Sequence, residues 1–194
     1  MSIIGKKAPD FICEAIVGNQ IKQVKLADFE GKYKILFFYP LDFTFVCPTE
    51  IHAFQELLAE FEKRNTIVLG VSVDSVYSHQ AWLAQSKDKG GIQGVSFPLL
   101  SDITKHIAQA YDVLNPETGI AYRATFIIDK VDIIQSAQIN NLAIGRNVSE
   151  IVRTLDAVQF VEKHGQVCPA NWKTGEPGLS KTQEDISHYL SKKK

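Results

Sequence analysis

Runs of apolar residues alternate with helical patterns along the middle of the chain. Residues 33–39 form a largely apolar run that Pro40 stops, which is typical of a buried strand. Residues 49–63 carry apolar side chains at helical spacing, and residues 66–73 are rich in β-branched residues, which favours a strand. The remaining segments of this kind are a helical pattern at 77–86, a glycine-rich loop at 90–94, a short strand at 97–100 and a short helix at 104–111.

One predicted strand pair precedes these segments and another follows them. Residues 12–17 and 21–26 flank Gly18, Asn19 and Gln20, a combination that favours a hairpin. Residues 125–128 and 133–139 are separated by a short turn and predict an antiparallel pair. Strands and helices in this order predict an α/β sandwich with a mixed central sheet.

A long amphipathic helix is predicted after the second strand pair. Asn147 is placed to cap it, with Glu150 three residues on as in a capping box, and Gly165 is placed to end it. Its apolar face is formed by Ile151, Leu155, Val158 and Val161. From about Val167 the pattern weakens into proline, glycine and charge. We therefore expect one domain at residues 1–166 and an extended C-terminal arm at 167–194.

Charge and composition narrow the classes of function. The chain has 194 residues and a net charge of −1, which argues against nucleic acid or an anionic membrane as the main partner. A basic cluster at residues 192–194 is expected to be a solvated tail. The opening residues lack the apolar region of a secretory signal, and no apolar run is long enough to span a membrane. We expect a soluble, cytoplasmic protein, in which three cysteines serve as reactive thiols and not as a disulfide scaffold.

Cys47 lies where a predicted strand gives way to a predicted helix. Pro48, directly after it, suits the first turn of a helix. Unpaired N–H groups and the helix dipole at such a position stabilise a thiolate, which is the nucleophilic form of cysteine. Thr44, three residues earlier, can reach the sulfur or a bound substrate oxygen. An arginine would strengthen the effect, and the candidates are Arg123 and Arg146, with Glu50 to orient them.

A free cysteine can also be no more than a small buried apolar side chain, and placement alone leaves both interpretations open. No cysteine lies within three residues of Cys47, which excludes a local Cys-x-x-Cys disulfide. A second Cys-Pro pair begins at Cys168, in the weakly structured arm. A mobile thiol is what a sulfenic acid at Cys47 needs in order to condense to a disulfide.

At this point the sequence resembles a family, the typical two-cysteine peroxiredoxins. Residues 43–50 read Phe-Thr-Phe-Val-Cys-Pro-Thr-Glu and look like the active-site signature of that family. Residues 167–172, Val-Cys-Pro-Ala-Asn-Trp, look like its second-cysteine segment. Further similar segments cover essentially the whole chain; they are residues 8–11, 73–75 with His79 and Trp82, 140–146 and 164–166.

The resemblance implies a thioredoxin-like fold and a role for each matching residue. Cys47 would be the peroxidatic thiolate and Cys168 the resolving thiol, acting from the partner subunit. The residues that would shape, activate or support the pocket are Pro40, Thr44, Arg123, Glu50 and Arg146. Hydroperoxides would be the substrates and a thioredoxin-like dithiol the reductant, with no metal, haem or flavin. The resemblance also implies a homodimer that pairs through the strand at 133–139, and a ring of five dimers.

Two departures from the family pattern are visible. Ala124 follows Arg123 where the family commonly has glycine, a change of one methyl that we expect to be tolerated. Relatives that are sensitive to over-oxidation carry a Gly-Gly-Leu-Gly loop and a C-terminal Tyr-Phe. This chain has Gly-Gly-Ile-Gln at residues 90–93 and Tyr189 followed by Leu190, so we expect intermediate sensitivity.

Other interpretations concern residues outside the motifs and other classes of function. Cys13 has no proline or polar pattern beside it and is interpreted as structural. The five histidines are scattered without ligand spacing, and the loop at 90–94 lacks the ending of a phosphate-binding loop. An oligomeric holdase chaperone and a redox relay that oxidises a partner protein remain alternative functions. Suppression of client aggregation by a Cys47→Ser variant would identify the first, and mixed disulfides trapped with Cys168→Ser the second.

Overall fold

A seven-stranded sheet forms the centre of the computed structural model, which describes residues 2–192. The sheet order is β2-β1-β5-β4-β3-β6-β7. The strands are β1 (Ile12–Val17), β2 (Gln20–Lys25), β3 (Tyr33–Phe38), β4 (Thr66–Ser72), β5 (Leu99–Ser101), β6 (Arg123–Ile128) and β7 (Ile134–Asn140). β3 and β5 run parallel to β4, whereas the β1–β2, β1–β5, β3–β6 and β6–β7 pairs are antiparallel. The predicted mixed sheet is therefore confirmed.

The apolar run at 33–39 contains the central strand β3 and is buried, as the sequence predicts. All six residues of β3 are buried, and they include a lysine. The Lys34 ammonium donates to Asp132 Oδ1 at 2.5 Å and to the Asp129 carbonyl at 3.2 Å. A buried charge needs such partners, so this pair fixes the β6–β7 turn against the centre of the sheet.

The helices are α1 (Cys47–Glu56), α2 (Leu58–Lys63), α3 (Val76–Ala84), α4 (His106–Ala110), α5 (Val148–His164) and α6 (Gln183–Lys192), with short 3-10 turns at Leu26–Phe29 and Lys87–Lys89. The single helix predicted at 49–63 is wrong in one respect, because the chain breaks at Leu57 into α1 and α2. The apolar spacing continues through the break since Phe54 and Phe61 are both fully buried, with ring centroids 6.2 Å apart.

Both predicted hairpins are present. β1 and β2 pair across a turn at Gly18, whose φ of 63° is the left-handed conformation that glycine adopts at little cost. β6 begins at Arg123, two residues before the predicted strand, and because β6 is antiparallel to β3 this arginine lies at the end of the sheet where β3 leads toward α1. The N-terminal segment pairs with the beginning of β7, where Lys7 bridges to Ile133.

The chain divides into two compact units, residues 1–148 and 149–194. In the second unit, α5 ends as predicted at Gly165, which has a φ of 67° and donates to the Val161 carbonyl at 2.9 Å. Ile151 and Leu155 are buried, but Val161, predicted on the same face, is 41% exposed because it lies in the last turn. The arm that follows forms a bridge between Val167 and Leu179 and then α6.

The predicted domain boundary after residue 166 remains a prediction. Of the basic cluster at 192–194, only Lys192 lies within the described part of the chain. Among the described helices, none has the length and apolar character that crossing a bilayer demands.

Candidate active site

Cys47 is the first residue of α1, at the helix N-terminus that the sequence predicts. Val46 precedes the helix, Pro48 follows Cys47, and the Cys47 side chain is fully buried. The amides of Thr49 and Glu50 close the first turn on the Val46 carbonyl, at 3.1 and 3.3 Å. The sulfur is thus held at the positive end of a helix, away from bulk water.

Arg123 reaches this sulfur from the first residue of β6. Its Nη1 atom lies 3.4 Å from Cys47 Sγ and donates to Glu50 Oε2 at 2.7 Å. Its Nε atom donates to the Leu142 carbonyl at 2.6 Å, which fixes the plane of the guanidinium. The arginine can therefore stabilise negative charge on the sulfur and on an oxygen bound beside it.

Arg146 holds Glu50 from the opposite side. It donates to both carboxylate oxygens of Glu50, and its own backbone N–H donates to Oε1 at 3.0 Å. Its Nη1 atom donates to the carbonyls of Phe38 and Ala124, at 2.9 and 2.8 Å. Ala124 is fully buried, so its methyl is accommodated where the family commonly has glycine.

Arg123, Arg146 and Glu50 form a buried cluster that has a net positive formal charge when the Cys47 sulfur is left out. Arg123 and Arg146 bring two positive charges and Glu50 brings one negative charge, and all three side chains are at least 95% buried. A buried uncompensated charge is costly, so an anion at the Cys47 sulfur completes the balance. Within residues 2–192, every buried side-chain nitrogen or oxygen has a hydrogen-bond partner.

Pro40 and Thr44 lie in the loop between β3 and α1. Pro40 is buried, and the Thr44 hydroxyl donates to the Leu41 carbonyl at 2.9 Å. With its proton so engaged, the Thr44 oxygen is left as an acceptor for a peroxide O–H. The roles of both residues toward substrate remain predictions.

A buried polar network under the same loop was not foreseen from the sequence. Asp42 joins His79 Nδ1 at 2.8 Å and accepts from the Tyr39 hydroxyl at 2.9 Å, and its amide donates to Asp74 at 2.9 Å. Burial and the nearby Asp42 charge raise the pKa of Tyr39 well above its ordinary value and also raise the pKa of Asp74. The network anchors the start of the loop to β4 and α3, and no spacing in the sequence links these residues.

The glycine-rich loop is fixed to α1 and α3. His52 Nε2 lies 3.0 Å from the Gly91 carbonyl oxygen, and the Trp82 indole donates to the Gly90 carbonyl at 3.0 Å. A Cβ at position 91 would lie 2.0 Å from the Gln85 carbonyl oxygen, so only glycine fits there. The rings of Phe43 and Trp82 lie at a tilt to each other with centroids 5.7 Å apart, while Phe45 is 94% exposed.

The other two cysteines occupy different surroundings. Cys13 is partly buried on β1 and packs against the core, and burial, with a contribution from Asp102, raises its pKa to about 12. Such a thiol is unreactive at neutral pH, which agrees with its structural interpretation. Cys168 is partly buried in the second unit and directs its sulfur toward the Ala157 carbonyl, 3.8 Å away. All three cysteines are free, and across residues 2–192 no cluster of three or more metal-ligating side chains occurs.

The chain is similar to known proteins over nearly its whole length. Residues 4–137 match the model of the AhpC/TSA family, and residues 157–192 match the C-terminal domain of 1-Cys peroxiredoxin. The 2-Cys peroxiredoxin BAS1 of Hordeum vulgare chloroplasts is 52% identical, covering 98% of this chain and 91% of that one. Peroxiredoxin-2 of Mus musculus is 48% identical, over 97% and 96% of the two chains. The crystal structure of reduced Plasmodium vivax 2-Cys peroxiredoxin superposes with a TM-score of 0.96 and 48% identity, covering 98% of this chain and all of that one.

Proposed function

Because the chain belongs to the AhpC/TSA family, and within it to the two-cysteine peroxiredoxins, it is a thiol-dependent peroxidase, and we propose that Cys47 is the sulfur that attacks the peroxide. The observation that carries this assignment is the 3.4 Å contact between Arg123 Nη1 and Cys47 Sγ. Among the described residues, no arginine donates a hydrogen bond to Cys13, whose pKa is raised, or to Cys168, whose sulfur faces the Ala157 carbonyl.

The first half-reaction consumes the peroxide. The Cys47 thiolate attacks one peroxide oxygen, an S–O bond forms, and the O–O bond breaks. The leaving alkoxide or hydroxide takes a proton, and Cys47 becomes a sulfenic acid. Arg123 stabilises both the thiolate and the charge that develops on the peroxide oxygens, while Thr44 and Pro40 shape the pocket. Arg146 and Glu50 act on Arg123 as positioning residues.

The second half-reaction joins two subunits. Cys168 of the partner subunit attacks the sulfenic sulfur, which gives a Cys47–Cys168 disulfide and water. A free edge supports the dimer: the N-terminal segment pairs with the first residues of β7, while Ile139 farther along that strand is exposed. Two subunits that pair along this edge form the dimer, and five dimers form the ring that the family resemblance implies.

A thioredoxin-like dithiol returns the disulfide to two thiols and supplies both electrons. The cycle therefore needs no metal, haem or flavin. The three free cysteines fit a reducing compartment such as the cytoplasm. No observation favours a holdase chaperone or a redox relay over the peroxidase.

Stopped-flow peroxide reduction coupled to thioredoxin and its reductase tests the proposal. Cys47→Ser should abolish turnover with the fold retained, since serine provides no thiolate at neutral pH. Cys168→Ser should reduce one equivalent of peroxide and then stall, and oxidised wild-type protein should run as a dimer on a non-reducing gel. Full turnover in the Cys47→Ser variant would assign the attack to another thiol, and a monomeric disulfide would contradict resolution between subunits.

A further inference from the structure

The segment that carries Cys168 is fastened to α5 within the second unit. Trp172 packs against Phe160, with ring centroids 4.9 Å apart, and its indole nitrogen donates to the Glu176 carbonyl at 2.9 Å. The Thr174 hydroxyl donates to Asp156 at 2.5 Å. The turn from Cys168 to Trp172 therefore has a defined resting position on the helix.

Arg153, on the same helix, fastens the end of that turn. Its Nη1 atom donates to the Trp172 carbonyl at 2.9 Å. Its Nε and Nη2 atoms donate to the two carboxylate oxygens of Glu150, at 2.7 and 2.6 Å. Glu150 therefore fixes the plane of the guanidinium, and the guanidinium fixes the Trp172 carbonyl.

The same guanidinium acts electrostatically on the Cys168 sulfur. Cys168 Sγ lies 3.8 Å from the carbonyl oxygen of Ala157, which is four residues after Arg153 and hence on the same face of α5. Burial raises the pKa of Cys168, and the Arg153 charge opposes that rise. The charges that act on Cys13 within the described part of the chain are negative, because Asp102 and Glu14 raise its pKa further.

We propose that Arg153 is a positioning residue for the resolving step, one that holds the Cys168–Trp172 turn and keeps a positive charge beside the Cys168 sulfur. This inference rests on the proposed function of Cys168 as the resolving thiol. In that step the Cys168 thiolate attacks the sulfenic sulfur of Cys47, the S–S bond forms and the S–O bond breaks. Hydroxide leaves and takes a proton to become water.

The charge matters twice in the catalytic cycle. Before resolution it increases the fraction of Cys168 present as thiolate, which is the attacking form. During recycling it stabilises Cys168 as a leaving thiolate when a dithiol attacks the disulfide at Cys47. Arg153 is thus assigned to the second half-reaction, whereas Arg123 serves the first.

Alkylation of Cys168 by iodoacetamide, followed by peptide mass spectrometry against pH, tests the charge directly. In a Cys47→Ser background, Arg153→Met should shift the midpoint upward and lower the rate at neutral pH by about three- to tenfold. Arg153→Lys and Glu150→Gln, which keep the positive charge, should leave the midpoint near that of the background protein. Arg64→Met is the control, because Arg64, directly after α2, also pairs with a glutamate one turn earlier, Glu60, at 2.9 Å.

Disulfide formation after a single peroxide pulse tests the kinetic consequence with Cys47 present. Arg153→Met should slow that step by a similar factor, leave sulfenic acid formation unchanged and recover as the pH is raised. An unshifted midpoint in Arg153→Met, or equal shifts in Arg153→Met and Arg153→Lys, would overturn the proposal. If the Cys168→Ser variant still formed a disulfide at Cys47 after the pulse, another thiol would be the resolving one and the proposed function of Cys168 would fail instead. The alkylation profile of Cys168 would separate the two cases.

Discussion

Arg146 and Glu50 meet through two parallel hydrogen bonds, 2.9 Å from Nε to Oε1 and 2.8 Å from Nη2 to Oε2. Both side chains are almost completely buried. Glu50 therefore cannot turn without breaking a bidentate contact, and its Oε2 atom is kept in place to accept from Arg123. The geometry of Arg123 beside Cys47 therefore depends on Arg146, which acts through Glu50.

Glu50→Gln should destabilise the reduced protein by about 3–5 kcal/mol, because it leaves two buried guanidinium groups without their shared carboxylate. Urea unfolding at one fixed protein concentration measures the effect. Glu56→Gln is the matched control on the same helix, since Glu56 is exposed and pairs with Lys87 at 3.5 Å. Equal loss of stability in both variants would contradict the cluster as the source of the effect.

Arg123→Ala should slow sulfenic acid formation by more than tenfold, or about 1.4 kcal/mol, because it removes the charge that stabilises the thiolate and the developing oxyanion. Single-turnover stopped-flow with the reduced protein measures this step apart from resolution. Arg64→Ala, which removes a positive charge paired with Glu60 at the end of α2, should react at the wild-type rate. If the rate of sulfenic acid formation fell by less than tenfold in Arg123→Ala, the role of Arg123 would be structural only.

Cys13 should make the fold less stable in alkaline solution. Its pKa is raised to about 12, whereas a cysteine in the unfolded chain ionises near 8.5, so the folded state keeps a proton that the unfolded state loses. Stability conferred by this proton is complete below about pH 8.5 and is lost progressively toward pH 12, at up to about 1.4 kcal/mol per pH unit. Urea unfolding between pH 8 and pH 10 should show a smaller decline in Cys13→Ala than in the wild type. Parallel curves would refute the shift.

Removal of residues 183–194 should raise resistance to over-oxidation. Under the proposed function the buried Cys47 has to become accessible to Cys168, and from the resemblance to relatives that are sensitive to over-oxidation we expect α6 to restrain the first turn of α1. Mass spectrometry of sulfinic acid at Cys47 during repeated peroxide turnover measures the effect. Tyr189→Ala in the full-length chain should shift resistance in the same direction. Equal sulfinic acid yields in the truncated and full-length proteins would mean that this helix does not restrain the turn.

Local patterns in the sequence were sufficient to predict the strand before Cys47 and the helix that begins at it. The apolar run that ends at Pro40 and the proline after Cys47 placed the cysteine at a helix start, because both signals are properties of adjacent residues. The break at Leu57 was not predictable in this way. Phe54 and Phe61 keep the helical spacing across it, so periodicity alone does not distinguish one helix from two.

The geometry of the site could not be predicted from the sequence, because it depends on contacts between residues that are distant along the chain. Arg123, Arg146 and Glu50 could be nominated as chemically suitable, but their convergence depends on the antiparallel pairing of β3 with β6. The contact between Asp42 and His79 joins residues that belong to different motifs, so nothing in their spacing predicted it. The chemistry of the residue types was visible in the sequence, and their mutual geometry was not.

The position of Glu50 in the first turn of α1 couples two opposing demands. The bonds that hold Glu50 to Arg123 and Arg146 stabilise the folded turn in which we propose that Cys47 attacks peroxide, and we expect the same bonds to oppose any unwinding of that turn during resolution. Tighter bonds favour fast attack and a long-lived sulfenic acid, whereas looser bonds favour prompt resolution. Under the proposed function, the strength of this one buried carboxylate cluster sets how long the oxidised sulfur remains open to a second peroxide.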